Sequence, residues 1–424
     1  MPLPLVLALL LGVAGTVAPT SSDRTTPAAR TEARTLALRA AKVLTCTRGG
    51  PGFLDHALVF VREGRIERVL PERGAELPAG TEVVDLGTRW LMPGMIDLHS
   101  HLGGPSGDIN DMVLQVNAGL RVSSTVVPRN PALERVLEAG VTTVLFIPGS
   151  GTNISGAGIL LKTAPSRFES MVVRDPGSLK IAQGDNPVRW GYGMGRSLMN
   201  YHIRGELARG LHYAAERAAD PARPRDPRFD VFEDLAAKRT QVSTHTQIYQ
   251  LVMQTLRIVR GEFGVDVYID HGEWQGYFAT EQALALGVST ISGPREIDTP
   301  GGHGLDTDGR IVGIAGEYQR RGMELVGFNT DAPVVPGEEL PLQAAMSARY
   351  GFEGDRLQVV KGLTIVPAIV AGIDKRLGSL EAGKDADLVV LDGDPADPRT
   401  RIERVYVEGE LVWERREREA PARR

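Results

Sequence analysis

Short apolar runs alternate with amphipathic segments through the middle of the chain. Eight of these runs predict β-strands, at residues 95–98, 142–147, 170–173, 178–182, 240–244, 266–269, 288–292 and 324–328. Segments with helical periodicity, for example 130–139 and 247–262, separate several of them. Because eight parallel strands joined by crossover helices close into a (β/α)8 barrel, we predict an α/β fold with a TIM-like barrel over residues 93–377.

The two ends of the chain show a different pattern. Between residues 35 and 90, apolar and polar positions alternate between turns that contain glycine or proline, which is typical of strands. Residues 386–392 and 402–413 show the same alternation. We therefore predict that residues 35–92 and 378–416 pair into one small β-sandwich domain, into which the barrel is inserted.

The first residues of the chain resemble a targeting segment. Residues 2–18 form an apolar run that ends in small residues, too short for a membrane span and typical of a secretory signal peptide. We assign residues 1–18 to this signal and residues 19–34, rich in Ser, Thr, Ala and Arg, to a linker. The expected location of the mature protein is the periplasm or the medium.

Charge and cysteine content argue against nucleic-acid binding and against a disulfide within the chain. The 48 lysines and arginines are balanced by 53 aspartates and glutamates, so the net charge of −5 provides no basic surface for nucleic acid. Cys46 is the single cysteine, so no disulfide can form within the chain. We expect a small-molecule substrate as partner, no nucleic acid and, for the mature chain, no membrane. The sequence leaves homo-oligomerisation open.

Histidines and an aspartate stand where predicted strands end. His99 and His101 close the first run, and residues two apart in a strand project to the same face. His245 and His271 close the fifth and sixth runs, and Asp331 follows the eighth. The C-terminal strand ends of such a barrel carry the active site, and imidazole and carboxylate ligands suit zinc, manganese or iron. We therefore predict one or two divalent metal ions, with zinc as the expected metal.

A second metal ion requires an anion that bridges the two ions. Lys180, on the fourth predicted strand, can supply one if carbon dioxide converts its amine to a carbamate; Asp185, just after this strand, is the alternative. Without either bridge, the sequence predicts one metal held by His99, His101, one further histidine and Asp331. The glycine-rich segment 148–158 predicts either a flexible connection or a loop whose N–H groups face an anion.

These motifs resemble the metal-dependent amidohydrolase superfamily, and most of all its imidazolonepropionase-like and prolidase-like branch. The resemblance covers residues 36–413 and rests on Pro93-Gly-Met-Ile-Asp-Leu-His-Ser-His101, on the order of the later site residues, and on the closing segment 377–391. It implies that His99 and His101 bind one metal and that His245 and His271 bind the second. It also implies that Asp331 contacts the first metal and transfers protons.

The charges of this site suggest a mechanism. Water bound to such a metal has a pKa lowered towards ~7. Asp331 would accept its proton during attack on a carbonyl carbon and pass the proton to the departing amine. We therefore expect hydrolysis of an acyl C–N bond, in an amide, a cyclic amide or a dipeptide. The alternatives are deamination at a ring carbon and a non-catalytic exported binding protein on the same barrel.

Overall fold

The computed structural model describes residues 35–50, 52–190, 194–294, 296–352 and 356–416. The predicted signal peptide at 1–18 and the linker at 19–34 lie outside these residues. Within the described residues, no helix combines the length and the apolar character that crossing a membrane requires.

The strands, in chain order, are β1 (Thr35–Leu44), β2 (Phe53–Arg62), β3 (Arg65–Pro71), β4 (Glu82–Asp85), β5 (Trp90–Pro93), β6 (Met95–Ser100), β7 (Val141–Phe146), β8 (Ile154–Lys162), β9 (Val172–Ala182), β10 (Val242–His245), β11 (Ile269–His271), β12 (Thr290–Ser292), β13 (Ile297–Asp298), β14 (Val312–Gly313), β15 (Val326–Phe328), β16 (Leu388–Leu391), β17 (Ile402–Val407) and β18 (Glu410–Glu414).

The α-helices are α1 (Pro131–Glu138), α2 (Phe168–Met171), α3 (Asp185–Trp190), α4 (Arg196–Ala219), α5 (Asp230–Ala236), α6 (Tyr249–Thr255), α7 (Thr280–Ala285), α8 (Ile314–Arg320), α9 (Leu340–Arg349), α10 (Arg356–Leu363) and α11 (Ile365–Val370). Helix α6 continues as a π-helical segment over Leu256–Glu262.

Both ends of the chain contribute strands to one eight-stranded sheet. Its order is β18-β17-β16-β5-β1-β2-β3, with β4 paired to β1. The two ends meet where β16 pairs antiparallel with β5, with Leu391 opposite Trp90 and Leu388 opposite Pro93. Buried apolar side chains such as Leu38 and Tyr406 form one cluster in this sheet, and each such burial contributes about 1.5–3 kcal/mol to stability. The division into a sandwich domain at 35–92 and 378–416 stays a prediction.

Two further sheets carry the middle of the chain. One has the order β10-β9-β8-β7-β6, and the other, β11-β12-β15, is parallel throughout. Isolated parallel bridges connect them: Val242 pairs with Val267, Thr246 with His271, and Ser100 with Ala332. Strands β6, β7, β9, β10, β11, β12 and β15 therefore run in one direction, so their C-terminal ends lie on one edge.

The prediction of eight parallel strands is wrong at the third position. Residues 168–171 form α2, and the third and fourth predicted runs belong largely to the single strand β9. The third place is taken by β8, which pairs antiparallel with β7 and β9.

The prediction of a loop over the whole of residues 148–158 is also wrong, because residues 154–158 belong to β8. All nine residues of β8 are buried, and its glycines serve close packing of the backbone. A Cβ on Gly156 would lie 2.7 Å from the Leu120 carbonyl oxygen, and Gly156 has a φ of +113°. Such glycines weaken the strand pattern in the sequence while allowing a buried strand.

Candidate metal centre

The predicted site residues come together at the C-terminal edge of the parallel strands. His99 lies near the end of β6, Lys180 on β9, His245 and His271 at the ends of β10 and β11, and Asp331 three residues after β15. His101, just after β6, joins them, and all six side chains are buried. Because six charged or polar groups are removed from water here, they must find partners in one another or in a ligand.

The donor atoms of this cluster lie close to one another. One ligand atom each of His99, His245, His271 and Asp331 lies within 4.8 Å of all the others. Asp331 Oδ1 lies 3.1 Å from His99 Nε2 and 3.2 Å from His101 Nε2, whereas its Oδ2 lies 3.9 Å from His271 Nε2. The geometry therefore groups the four histidines with the aspartate, as the strand-end pattern predicts.

Lys180 is part of the same cluster. Its Nζ lies 3.0 Å from His99 Nε2, and the side chain is fully buried. Asp185 is the first residue of α3, but its side chain is outside the described part of the structure. The choice between Lys180 and Asp185 as a bridging group stays a prediction.

Partners outside the cluster fix the rings of the first two histidines. His99 Nδ1 donates to Asp270 Oδ2 at 2.8 Å, and His101 Nδ1 donates to the Ile147 carbonyl oxygen at 2.8 Å. A carbonyl or carboxylate oxygen can only accept, so each ring carries a proton on Nδ1. In the neutral ring the Nε2 lone pair is then directed into the cluster, as a metal ligand requires.

The other two histidines are held less firmly. His245 Nδ1 shares a 3.0 Å contact with Ser150 Oγ, a hydroxyl that can donate or accept, so the contact does not fix the tautomer. His271 Nδ1 lies 3.6 Å from Glu273 Oε2, too long for a hydrogen bond. His245 Nε2 and both ring nitrogens of His271 are buried without a hydrogen-bond partner in the described residues. Such unsatisfied buried nitrogens are costly unless a ligand occupies the space between them.

The backbone is strained at two of these residues. His271 has a φ of 72° and Asp331 a φ of 46°, both in the left-handed region that residues with a Cβ avoid. Each such conformation costs of order 1–3 kcal/mol and persists where the surroundings hold it. Next to His245, a Cβ on Gly184 would lie 2.4 Å from the imidazole Cδ2, so glycine is needed to leave that ring in place.

Burial keeps two of the imidazoles neutral. It lowers the pKa of His245 to about 3. It also lowers the pKa of His271 well below its ordinary value, and the neighbouring His245 and His99 rings add to that effect. Neutral imidazole is the form that binds metal, so these two rings are competent ligands across the neutral pH range.

Charge–charge interactions decide the pKa of His99 and of Asp331, whereas burial decides that of Lys180. Burial by itself would lower the pKa of His99, but the carboxylates of Asp270 and Asp331 outweigh it and raise that pKa to about 9. For Asp331, burial would raise the pKa, but His99 and His101 outweigh it and hold the pKa well below the usual range. Burial lowers the pKa of Lys180 to about 8. The cluster thus combines an ionised carboxylate with a lysine that loses its proton more readily than usual.

The residues that support the cluster were not predicted from the sequence. Asp270 and Ser150 contact His99 and His245, and Asp97 accepts from the backbone N–H of His99 and from the Thr330 hydroxyl. Asp270 directly precedes His271, and an acidic residue beside a predicted ligand is a signal that could have indicated it. Ser150 lies in a glycine-rich segment without such a signal.

A cavity of about 350 Å³ lies beside this edge of the sheets. Its walls come from the loops that follow β11, β13 and β15, including Trp274, Thr299 and Val335. The Trp274 and His303 rings stack there, with centroids 3.7 Å apart. Cavities of this size accommodate small molecules, so the space adjoins the loops of strands that carry His271 and Asp331.

The chain is similar in sequence to amidohydrolases and to imidazolonepropionases. The model of the amidohydrolase family matches residues 315–412. Amidohydrolase tasK of Hapsidospora irregularis is 26% identical over 402 residues, which are 83% of this chain and 39% of that protein, so the chain spans well under half of its length. An imidazolonepropionase of Sphingopyxis alaskensis is 22% identical over 397 residues, 85% of this chain and 93% of the relative.

Solved structures extend the comparison to the fold. An amidohydrolase of Thermotoga maritima is 28% identical, with a TM-score of 0.78 over 90% of this chain and 100% of the other. A prolidase complexed with N-methylphosphonate-L-proline is 19% identical, with a TM-score of 0.54 over 90% and 100% of the two chains. Because the prolidase is only 19% identical to this chain, the likeness to it shows the fold alone.

Proposed function

The chain belongs to the amidohydrolase superfamily and is similar to its imidazolonepropionase-like branch, and from this premise we propose that it hydrolyses an acyl C–N bond with the help of bound divalent metal. Membership supports hydrolysis of C–N bonds in general. The observation that carries the finer proposal is the buried convergence of four histidines with Asp331.

The side chains of the cluster fit a divalent metal. The donors are imidazole nitrogens and a carboxylate oxygen, which suit zinc, and three of the ring nitrogens have no partner among the described protein groups. His99, His101 and Asp331 would hold one ion, and His245 and His271 a second. We propose zinc for both positions.

A divalent ion bound here would lower the pKa of a water towards ~7 and polarise a substrate carbonyl. We propose that Asp331 transfers the proton of that water. Its Oδ1 lies 3.1 Å from His99 Nε2 and 3.2 Å from His101 Nε2, whereas Oδ2 lies 3.9 Å from His271 Nε2. Oδ2 would then accept the proton and return it to the departing nitrogen, and the burial of the side chain would keep bulk water from competing.

Lys180 would complete the charge balance. Two dications with neutral imidazoles and one carboxylate need a further anion, and Lys180 Nζ lies inside the cluster. Its neutral amine would bond to the carbon of carbon dioxide and release one proton, leaving a carbamate. We predict that Lys180→Ala binds about half as much zinc as the native protein and partly recovers with added short carboxylates. Native zinc content in Lys180→Ala would transfer the bridging role to Asp185 or to no residue.

The sheet pairings support a closed barrel as the frame of this site. If the isolated bridges count as connections, β6-β7-β8-β9-β10-β11-β12-β15 form a ring, because Ser100 pairs with Ala332 at the closing point. We propose that this ring is an eight-stranded barrel of the TIM type in which β8 runs antiparallel, with the cluster at its C-terminal mouth.

A substrate screen tests the proposed activity. Zinc-loaded protein is incubated with N-acyl amino acids, Xaa-Pro dipeptides and cyclic amides, and free amine is measured, with Asp331→Asn as the matched control. We expect amine release by the native protein from one of these classes and little by the variant. Release of ammonia from ring amines alone would favour deamination. Stoichiometric zinc without any turnover would favour a binding protein.

A further inference from the structure

A carboxylate stands behind the histidine cluster in a site closed to solvent. Asp270, in the middle of β11, is fully buried. Among the described residues, no lysine or arginine nitrogen lies within 4 Å of it, and its charged partner is His99, whose Nδ1 is 2.8 Å from Oδ2. Burying a carboxylate beside an imidazole rather than a lysine or arginine costs free energy, which indicates that Asp270 has a functional role.

The position of this carboxylate is set independently of His99. Its other oxygen, Oδ1, accepts from the backbone N–H of His271 at 3.1 Å and from Asn329 Nδ2 at 3.2 Å. Asn329 follows β15 directly and also donates to the Ile291 carbonyl oxygen at 3.0 Å. Two donors from β11 and from the segment after β15 therefore hold Asp270 in place, and the carboxylate in turn orients the imidazole that β6 presents.

The consequence for the neutral His99 ring, the form that binds metal, is a single tautomer. A proton on Nδ1 is shared with Asp270, so Nε2 faces Asp331 Oδ1 at 3.1 Å and Lys180 Nζ at 3.0 Å. With the proton on Nε2 the ring could not bind a metal from that side. We propose that Asp270 is a positioning residue that fixes the tautomer and orientation of His99 for metal binding, an inference that rests on the metal site proposed above.

A purely structural role is the competing explanation, because Asp270 also ties β11 to β6. The isosteric variant Asp270→Asn distinguishes the structural role from the positioning role. Oδ1 already accepts two donors, so the amide oxygen takes that place and the NH2 group faces His99 Nδ1. The amide then donates to Nδ1 and forces the His99 proton onto Nε2. Packing volume and the strand-to-strand hydrogen bonds are kept, while the metal ligand is lost.

The matched control is Glu296→Gln. Glu296 is also fully buried, beyond the end of β12, and its Oε2 accepts from the hydroxyls of Ser292 and Ser347 at 3.1 and 3.0 Å. The substitution likewise replaces a buried carboxyl group with an amide, without touching a histidine. It should therefore change zinc affinity by less than about twofold.

Zinc affinity is measured by competition with a chromophoric chelator, alongside the thermal unfolding of each variant. We expect Asp270→Asn to weaken zinc binding by about 10- to 100-fold while its apo form unfolds near the native temperature, and Asp270→Ala to weaken binding in the same direction. Nitrogen-15 NMR of the histidine rings, recorded above pH 9 where His99 is neutral, should show its proton on Nδ1 in the native protein and on Nε2 in Asp270→Asn.

Zinc affinity in Asp270→Asn equal to the native value would overturn the proposal, even if Asp270→Ala fails to fold. A loss of equal size in Glu296→Gln would overturn it as well, because it would assign the effect to general destabilisation. A native protein that binds no zinc would remove the proposed metal site together with this inference. Native zinc binding that Asp270→Asn leaves unchanged would remove this inference alone.

Discussion

The two pairs of histidines in the cluster are held by different kinds of partner. His99 and His101 donate from Nδ1 to a carboxylate and to a backbone carbonyl oxygen, which can only accept. His245 contacts a serine hydroxyl, and His271 has no ring hydrogen bond in the described part of the chain. The protein therefore orients the rings of His99 and His101 before a metal binds. The orientation of the His245 and His271 rings still depends on a bound metal.

This difference predicts a difference in affinity. Orientation of a ligand in advance reduces the conformational freedom that metal binding would otherwise remove, and partners behind the ligand shell typically change affinity by about 10- to 100-fold. The first pair also shares one strand end, whereas His245 and His271 lie on two strands joined only by isolated bridges. We therefore expect zinc at the first pair to be the last to leave under chelation.

Removal of the first pair should have the largest effect. His99→Ala with His101→Ala deletes both oriented ligands, so we expect loss of zinc at that position and loss of turnover, measured by elemental analysis and by the amine-release assay. His212→Ala is the control, because that side chain is 74% exposed on α4. Unchanged stoichiometric zinc in the double variant would mean that the first pair binds no metal.

Asp331→Asn should abolish turnover while retaining most of the zinc. An amide keeps the shape of the side chain but cannot accept a proton, and general base catalysis typically contributes about 10²- to 10⁴-fold. We expect kcat to fall by that range, with zinc content measured on the same preparation. Full activity in this variant would exclude Asp331 as the group that accepts the proton.

Removing the partner of His245 in the second pair should have a smaller effect on zinc binding. Ser150→Ala removes the one hydrogen bond that His245 Nδ1 makes, and a neutral hydrogen bond contributes about 0.5–1.5 kcal/mol. We expect the more weakly held zinc to bind about two- to tenfold more weakly, measured by chelator competition. Ser155→Ala is the matched control, since its hydroxyl bonds to Thr152. A loss confined to the tightly held zinc would reverse the proposed order of the two pairs.

Glu296→Gln should have the least effect on zinc and a measurable effect on stability. Burial raises the pKa of Glu296 to about 8, despite the hydroxyls of Ser347 and Ser292. The folded protein thus keeps a proton that the unfolded chain loses above its ordinary pKa of 4.5. The contribution of Glu296 to stability is fully present below that value and is lost as the pH rises to about 8.

The glutamine variant cannot titrate at this position. As the pH rises from 4.5 to about 8, the free energy of unfolding of the variant should therefore increase relative to that of the native protein. The increase should be of the order of a few kcal/mol. Urea unfolding at pH 5 and pH 8 measures this difference. An identical pH dependence in both proteins would show that Glu296 is not held in its neutral form.

The sequence predicted the cluster better than its surroundings. His99, His101 and the later site residues were found because a strand end in a parallel α/β fold is a defined place, and polar residues there are conspicuous. Asp270 was missed because it contacts a histidine 171 residues away, and its own strand gives no register for that contact. Strand β8 was missed because glycines that permit close backbone packing also weaken the strand pattern.

Anomalous diffraction at the zinc absorption edge, from crystals grown with zinc, tests the existence of the metal centre most directly. The account predicts a peak at about 2.0–2.1 Å from the Nε2 atoms of both His99 and His101, and a second peak of equal or lower occupancy beside His245 and His271. Crystals that contain zinc but show no anomalous peak within the histidine cluster would contradict it.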